Sequence, residues 1–113
     1  MSPAKLNYVE LAGGDLPATK RFYADALGLG FTDYGPTYAA AEDGEVALGL
    51  QGDPAEAPRA PLAIFQVEDV DAALARVEAA GGVVTVPIFV FPGGRRFHFR
   101  DPAGNELAAW QSA

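Results

Sequence analysis

Apolar and polar positions alternate with a period of two over Leu6–Leu11. As a strand, this segment puts Leu6, Tyr8 and Glu10 on one side and Asn7, Val9 and Leu11 on the other. The period changes after Gly13-Gly14. Asp15 stands where an N-cap side chain accepts backbone N–H groups, and Pro17 is tolerated in a first turn. Thr19, Phe22, Tyr23, Ala26 and Leu27 then recur at helical spacing, which predicts a helix ending at Gly28 with these five residues toward the core. Short extended pieces are predicted near 30–33, 37–41 and 45–51, joined by Tyr34-Gly35-Pro36 and Glu42-Asp43-Gly44. Residues 52–60, with Asp53-Pro54 and Pro58, read as a linker.

The order then begins again. Leu62–Val67 is a strand, and Asp69 caps a helix whose buried stripe is Val70, Ala73, Leu74, Val77 and Ala80, ended by Gly81-Gly82. Val83–Phe91 is a strand interrupted by Pro87, which predicts an edge position or a bulge. Pro92-Gly93-Gly94 turns the chain, Arg95–Arg100 returns, Asp101–Asn105 makes the last turn, and Glu106–Gln111 is the closing strand. Asp15 to Asp69 and Gly28 to Gly82 are the same step of 54 residues. The chain therefore reads as one domain, 1–113, of two repeated modules at about 5–52 and 60–112. Each module is strand, helix, three strands. One helix covers one face of a four-stranded sheet, and the other face must also be buried. The predicted fold is α+β: two βαβββ modules forming a curved eight-stranded mixed sheet, helices outside and a hollow inside. A hollow at a module boundary is a favoured ligand site.

Composition narrows the function. Half of the residues are hydrophobic, and the net charge is −7. That sign argues against nucleic acid and anionic membrane surfaces as partners. It suits a cationic ligand, or simply solubility. Cysteine is absent, which removes disulfides, thiolate metal sites and cysteine nucleophiles. No apolar run reaches the ~18–20 residues of a membrane span, and Met1–Lys5 lacks the apolar core of a secretory signal. A cytoplasmic location is the expectation.

Tyr8-Val9-Glu10-Leu11 followed by Asp15-Leu16, Phe22-Tyr23 and Leu27-Gly28 resembles the first module of the vicinal oxygen chelate superfamily, which holds glyoxalases, bleomycin-resistance proteins and extradiol dioxygenases. Phe65–Ala72 and Asp101-Pro102-Ala103-Gly104-Asn105-Glu106-Leu107 resemble its second module. The resemblance implies a homodimer. It also implies metal-ligand positions, which fall on Tyr8, near Leu48, and on Leu62 and Ala108. Three of these have no donor atom, and a phenol is a poor ligand unless deprotonated. The expectation is therefore no metal and no cofactor. A rebuilt set of Glu10, His98 and Glu106 is the one alternative.

If the ligand positions face the hollow, so do Tyr8, Glu10, Leu62, Ile64, Gln66, Glu106, Ala108 and Trp110. Phe97 and Phe99 should pack under the helix, which turns Arg96 and His98 to the hollow; the facing of Phe89 and Phe91 stays open. Glu10 either pairs with Arg96, receives a ligand, or acts as a base. His98 is a satisfied core histidine or a proton shuttle, kept neutral by Arg96. Trp110 and Tyr8 stack on a flat or cationic ligand or fill space. Arg95 and Arg100 read as strand-edge cations pairing with Asp101. Tyr34 and Tyr38 are placed near the mouth. Two functions follow. One is a metal-independent protein binding a small aromatic or cationic compound between the modules, through Tyr8, Glu10, Leu62, Gln66, Arg96, His98, Ala108 and Trp110. The other is a metal-independent lyase or isomerase with Glu10 or His98 as base and Arg96 stabilising an anion.

Overall fold

A computed structural model describes residues 2–113. Among them are eight strands and two helices: β1 (Lys5–Ala12), α1 (Leu16–Leu27), β2 (Thr32–Asp33), β3 (Tyr38–Ala41), β4 (Ala47–Gln51), β5 (Leu62–Gln66), α2 (Val70–Ala79), β6 (Val83–Phe91), β7 (Gly94–Arg100) and β8 (Glu106–Ser112). They divide into two compact units, Asn7–Leu62 and Ala63–Ala113, the latter with the residues before Asn7. In the first, the strand order is β2-β3-β4-β1, with β1 and β4 parallel and the other pairs antiparallel. In the second, the order is β5-β8-β7-β6, with β5 and β8 parallel. Each unit is thus the same βαβββ plan, with first and last strands side by side. No helix of the described residues is long and apolar enough to cross a membrane.

The helix ends follow from the caps. The Asp15 carboxylate accepts from Ala18 N–H at 3.2 Å, and the Asp69 carboxylate from Ala72 N–H at 3.1 Å. Gly28 ends α1 at φ 71°, a left-handed conformation that glycine adopts without a Cβ penalty. The Asp101–Asn105 turn has an equally local cause. Asp101 accepts from Ala103 N–H, Asn105 N–H and the Asn105 side-chain amide at 2.9–3.0 Å. These bonds, those from Asn105 foremost, hold its carboxyl below the usual range.

Each helix packs on one face of its own sheet. In the first unit Leu16, Ala39 and Leu50 form the core, with Leu11, Tyr23 and Phe31 against them. In the second, Val70, Ala73, Phe97 and Ala109 do so, with Leu74, Val77, Val84 and Phe99. The expected α2 stripe is seen except at Ala80, which is exposed. The expected α1 stripe needs correction. Phe22 and Leu27 are 61% and 66% exposed, and Ala26 is exposed too. The buried line is Leu16, Thr19 and Tyr23, and a turn of 100° per residue carries Phe22 off it. Leu27 is the last helical residue. Strand β6 is an edge strand whose register shifts between Val84 and Val86 and again between Val86 and Phe89, around Pro87, as its missing N–H demands.

Candidate functional site

The helix-free face of the first unit carries a phenol–carboxylate cluster. Register pairs Tyr8 with Ala47, Glu10 with Gly49 and Ala40 with Gly49, which puts Tyr8, Glu10, Gly49 and Tyr38 on one face. The core residues Ala39 and Leu50 take the other. Glu10 is buried, with 4% exposure. The Tyr38 hydroxyl donates to Glu10 Oε1 at 3.1 Å, and the Tyr8 and Tyr38 hydroxyls are 2.5 Å apart. Burial, then the charge of Glu10, pushes the Tyr38 phenol far above its ordinary value, so it stays protonated. Gly49 makes the cluster fit. A Cβ there would run into the Tyr38 hydroxyl and lie 2.5 Å from that of Tyr8.

Two expectations change here. Leu48 pairs with Val9 and Ala41 and so lies on the helix side; the helix-free position on β4 is Gly49, which has no donor either. Tyr38 is half-buried and bonded to Glu10, a role its placement at a mouth did not anticipate. Tyr34 remains exposed, with its hydroxyl on Glu42. That hydrogen bond is the main cause raising its pKa.

The helix-free face of the second unit carries an aromatic row. Arg96 pairs with Trp110, His98 with Ala108, Gln66 with Trp110 and Ile64 with Ala108, all opposite to Phe97, Phe99 and Ala109. Ala108 is buried there, and Leu62, at the start of β5 where the first unit ends, is buried as well. Phe89 pairs with Arg96 and Phe91 with Gly94, so both rings join this face. The Phe89 and His98 centroids are 6.0 Å apart, and those of Phe91 and Trp110 are 6.3 Å apart. The Arg96 guanidinium lies 5.6 Å from the Phe89 centroid, within cation–π range. Arg96 Nε donates to His98 Nε2 at 3.0 Å. With Nε2 accepting, the imidazole is neutral and its proton is on Nδ1. Burial, then the Arg96 charge, lowers the His98 pKa to about 4, against an opposing pull from Glu106. Arg95 leaves the expected pairing with Asp101 and binds Asp71 at 2.9 Å instead, because it points to the α2 side.

The donor set does not fit the metal that the fold family implies. Leu62 and Ala108 are hydrocarbon, Gly49 has no side chain, and the Tyr8 phenol is hydrogen-bonded to Tyr38. Among the described residues no group of three or more His, Asp or Glu side chains is gathered as a metal-holding cluster.

The chain is 32% identical over 117 residues to proteins of Mycobacterium bovis and Mycobacterium tuberculosis that carry the provisional name glyoxylase CFP32. The match covers 94% of this chain and 45% of theirs, so the chain spans about half the length of these relatives. Among solved structures, methylmalonyl-CoA epimerase from Mycobacterium tuberculosis superposes with a TM-score of 0.75 at 18% identity, covering 100% of this chain and 93% of that one. A superfamily member from Vibrio splendidus gives 0.70 at 16%, covering 98% and 100%. These likenesses show the fold. The model of the glyoxalase/bleomycin resistance protein/dioxygenase superfamily matches residues 5–109, and the chain belongs to that superfamily.

Proposed function

We propose that this chain is a metal-independent binding protein for a small aromatic or cationic compound, held on a helix-free sheet face. The observation that carries the reading is the row of Phe89, His98, Phe91 and Trp110 on a face with no helix over it. Arg96 lies over Phe89, and Phe91 and Trp110 continue the aromatic row, which favours a flat aromatic body. Gln66, Arg96 and His98 supply polar contacts there, beside the buried Ala108. The first unit has its own polar face, where Tyr8 and Glu10 offer acceptors to a cationic or N–H-donating group. The family resemblance extends the proposal to a homodimer.

Trp110 is the sole tryptophan, so its emission reports this face directly. Titration with benzamidine, naphthylamine and flat aromatic carboxylates should give saturable changes in Trp110 fluorescence and a raised Tm, with the compound recovered unchanged. One equivalent of zinc, nickel, manganese or iron in purified protein, or stabilisation by these ions alone, refutes the reading.

One observation favours the lyase or isomerase reading: His98 is neutral at pH 7, as a base must be. Its Nε2 already accepts from Arg96, so proton abstraction there requires Arg96 to move onto the substrate. Turnover that disappears in His98→Asn while binding survives would establish that reading.

A further inference from the structure

Helix α2 leaves part of its sheet uncovered. A groove of about 810 Å³ runs between α2, the residues Ser2–Ala4 and the helix side of β5, β7 and β8. That volume lies in the range of small-molecule sites. Register puts Phe65, Phe99 and Leu107 on the side of Phe97 and Ala109, opposite to Arg96, His98 and Trp110. The groove is therefore distinct from the face described above. Phe65, Phe99 and Leu107 form its apolar surface, and the short side chain of Ala72 on α2 leaves it open.

Among the described lining residues, charge is carried by Glu68, Asp69, Arg76 and Asp101. Three acidic residues and one arginine line the groove. Asp69 and Asp101 are held by backbone and amide N–H groups, which are neutral donors, so their negative charge is not cancelled. The net charge of −7 adds to the same sign. An apolar body bearing a cationic head complements this groove; an anion of the same shape does not.

We infer that the helix side of the second unit is a separate binding site for a small apolar amine. Three compounds of one shape test it: 4-phenylbutylamine, 4-phenylbutanol and 4-phenylbutyrate, followed by calorimetry, amide chemical shifts and Trp110 emission. The amine should bind about fivefold or more tighter than the alcohol, the sum of two exposed charge contacts, and the carboxylate should bind weakest. Shifts should centre on Ala72, Val77 and Leu107, with Trp110 emission unmoved.

The double variant Glu68→Gln, Asp69→Asn keeps a good N-cap. It should bring the amine down to the affinity of the alcohol and leave the alcohol unchanged. Ala72→Leu fills the groove and should weaken the amine and the alcohol together in a protein with unchanged circular dichroism. Equal binding of all three compounds, binding of none, or shifts that centre on Trp110 overturn the inference. Concentration-dependent self-association lost in Ala72→Leu, without amine binding, assigns the groove to a second copy and overturns it too.

Discussion

Lowering the pH from 7 to 4.5 should destabilise this protein through its one histidine, and the size of the effect follows from where that histidine sits. The ordinary pKa of 6.5 falls to about 4 in the folded chain, through burial first and Arg96 second. Between these values the unfolded chain binds the proton and the folded chain does not. The unfolded state then holds more protons, so stability rises with pH across this window and falls as pH drops through it. Well above 6.5 the imidazole is neutral in both states and contributes nothing to the pH dependence. The shift sets a limit of about 3 kcal/mol, and partial exposure of the ring reduces it to about 2 kcal/mol at pH 4.5. Urea unfolding of the wild type and His98→Gln from pH 4.5 to 8 isolates the contribution. Acid losses from carboxylates such as Asp101 are common to both proteins and cancel in the difference. The wild type should lose about 2 kcal/mol relative to the variant between pH 6.5 and 4.5, and the difference should be flat above pH 7. With a single histidine in the chain, the imidazole proton resonances give the folded midpoint without assignment. A midpoint at or above 6.5, or a difference that does not move with pH, refutes the account.

Tyr38→Phe removes the hydroxyl that bonds Glu10 and Tyr8, and should cost about 1–3 kcal/mol in urea unfolding, because a buried carboxylate loses a donor. Gly49→Ala drives a Cβ into both phenols and should cost about 1–3 kcal/mol; paired with Tyr38→Phe, the two losses should be less than additive, as a double-mutant cycle would show. Phe97→Ala opens the core of the second unit, where that ring is fully buried, and should lower stability by about 3–5 kcal/mol with an unchanged far-UV spectrum in the folded baseline. Trp110→Phe should keep the fold and reduce affinity for aromatic ligands of the helix-free face, measured by calorimetry.

Much of the frame was legible because its causes are local. Asp15 and Asp69 cap their helices through their own side chains, Gly28 takes the left-handed turn, and Pro87 disturbs the strand it sits in. The alternation in β7 likewise separated Phe97 and Phe99 from Arg96 and His98. The rest depends on register between segments far apart in sequence. Whether Leu48 or Gly49 shares a face with Glu10 is decided by how β4 aligns with β1, and no local pattern fixes that alignment. Tyr38 was invisible as the partner of Glu10 for the same reason. Phe89 and Phe91 were left unplaced because two register shifts intervene along β6. The α1 stripe departs from its periodicity for another reason: Phe22 is apolar and at helical spacing, yet a short helix on a short sheet buries only a narrow line of it.

The two units share a strand order, and the 54-residue step that relates them carries Tyr8 onto Leu62 and Glu10 onto Ile64. A hydroxyl and a carboxylate in one copy answer to plain hydrocarbon in the other, on backbones of the same design. The architecture thus makes no chemical demand at these stations. Caps and helix-side packing recur in both copies, whereas the residues on the helix-free faces differ. Membership of the superfamily therefore foretells the shape of such a chain far better than its cargo.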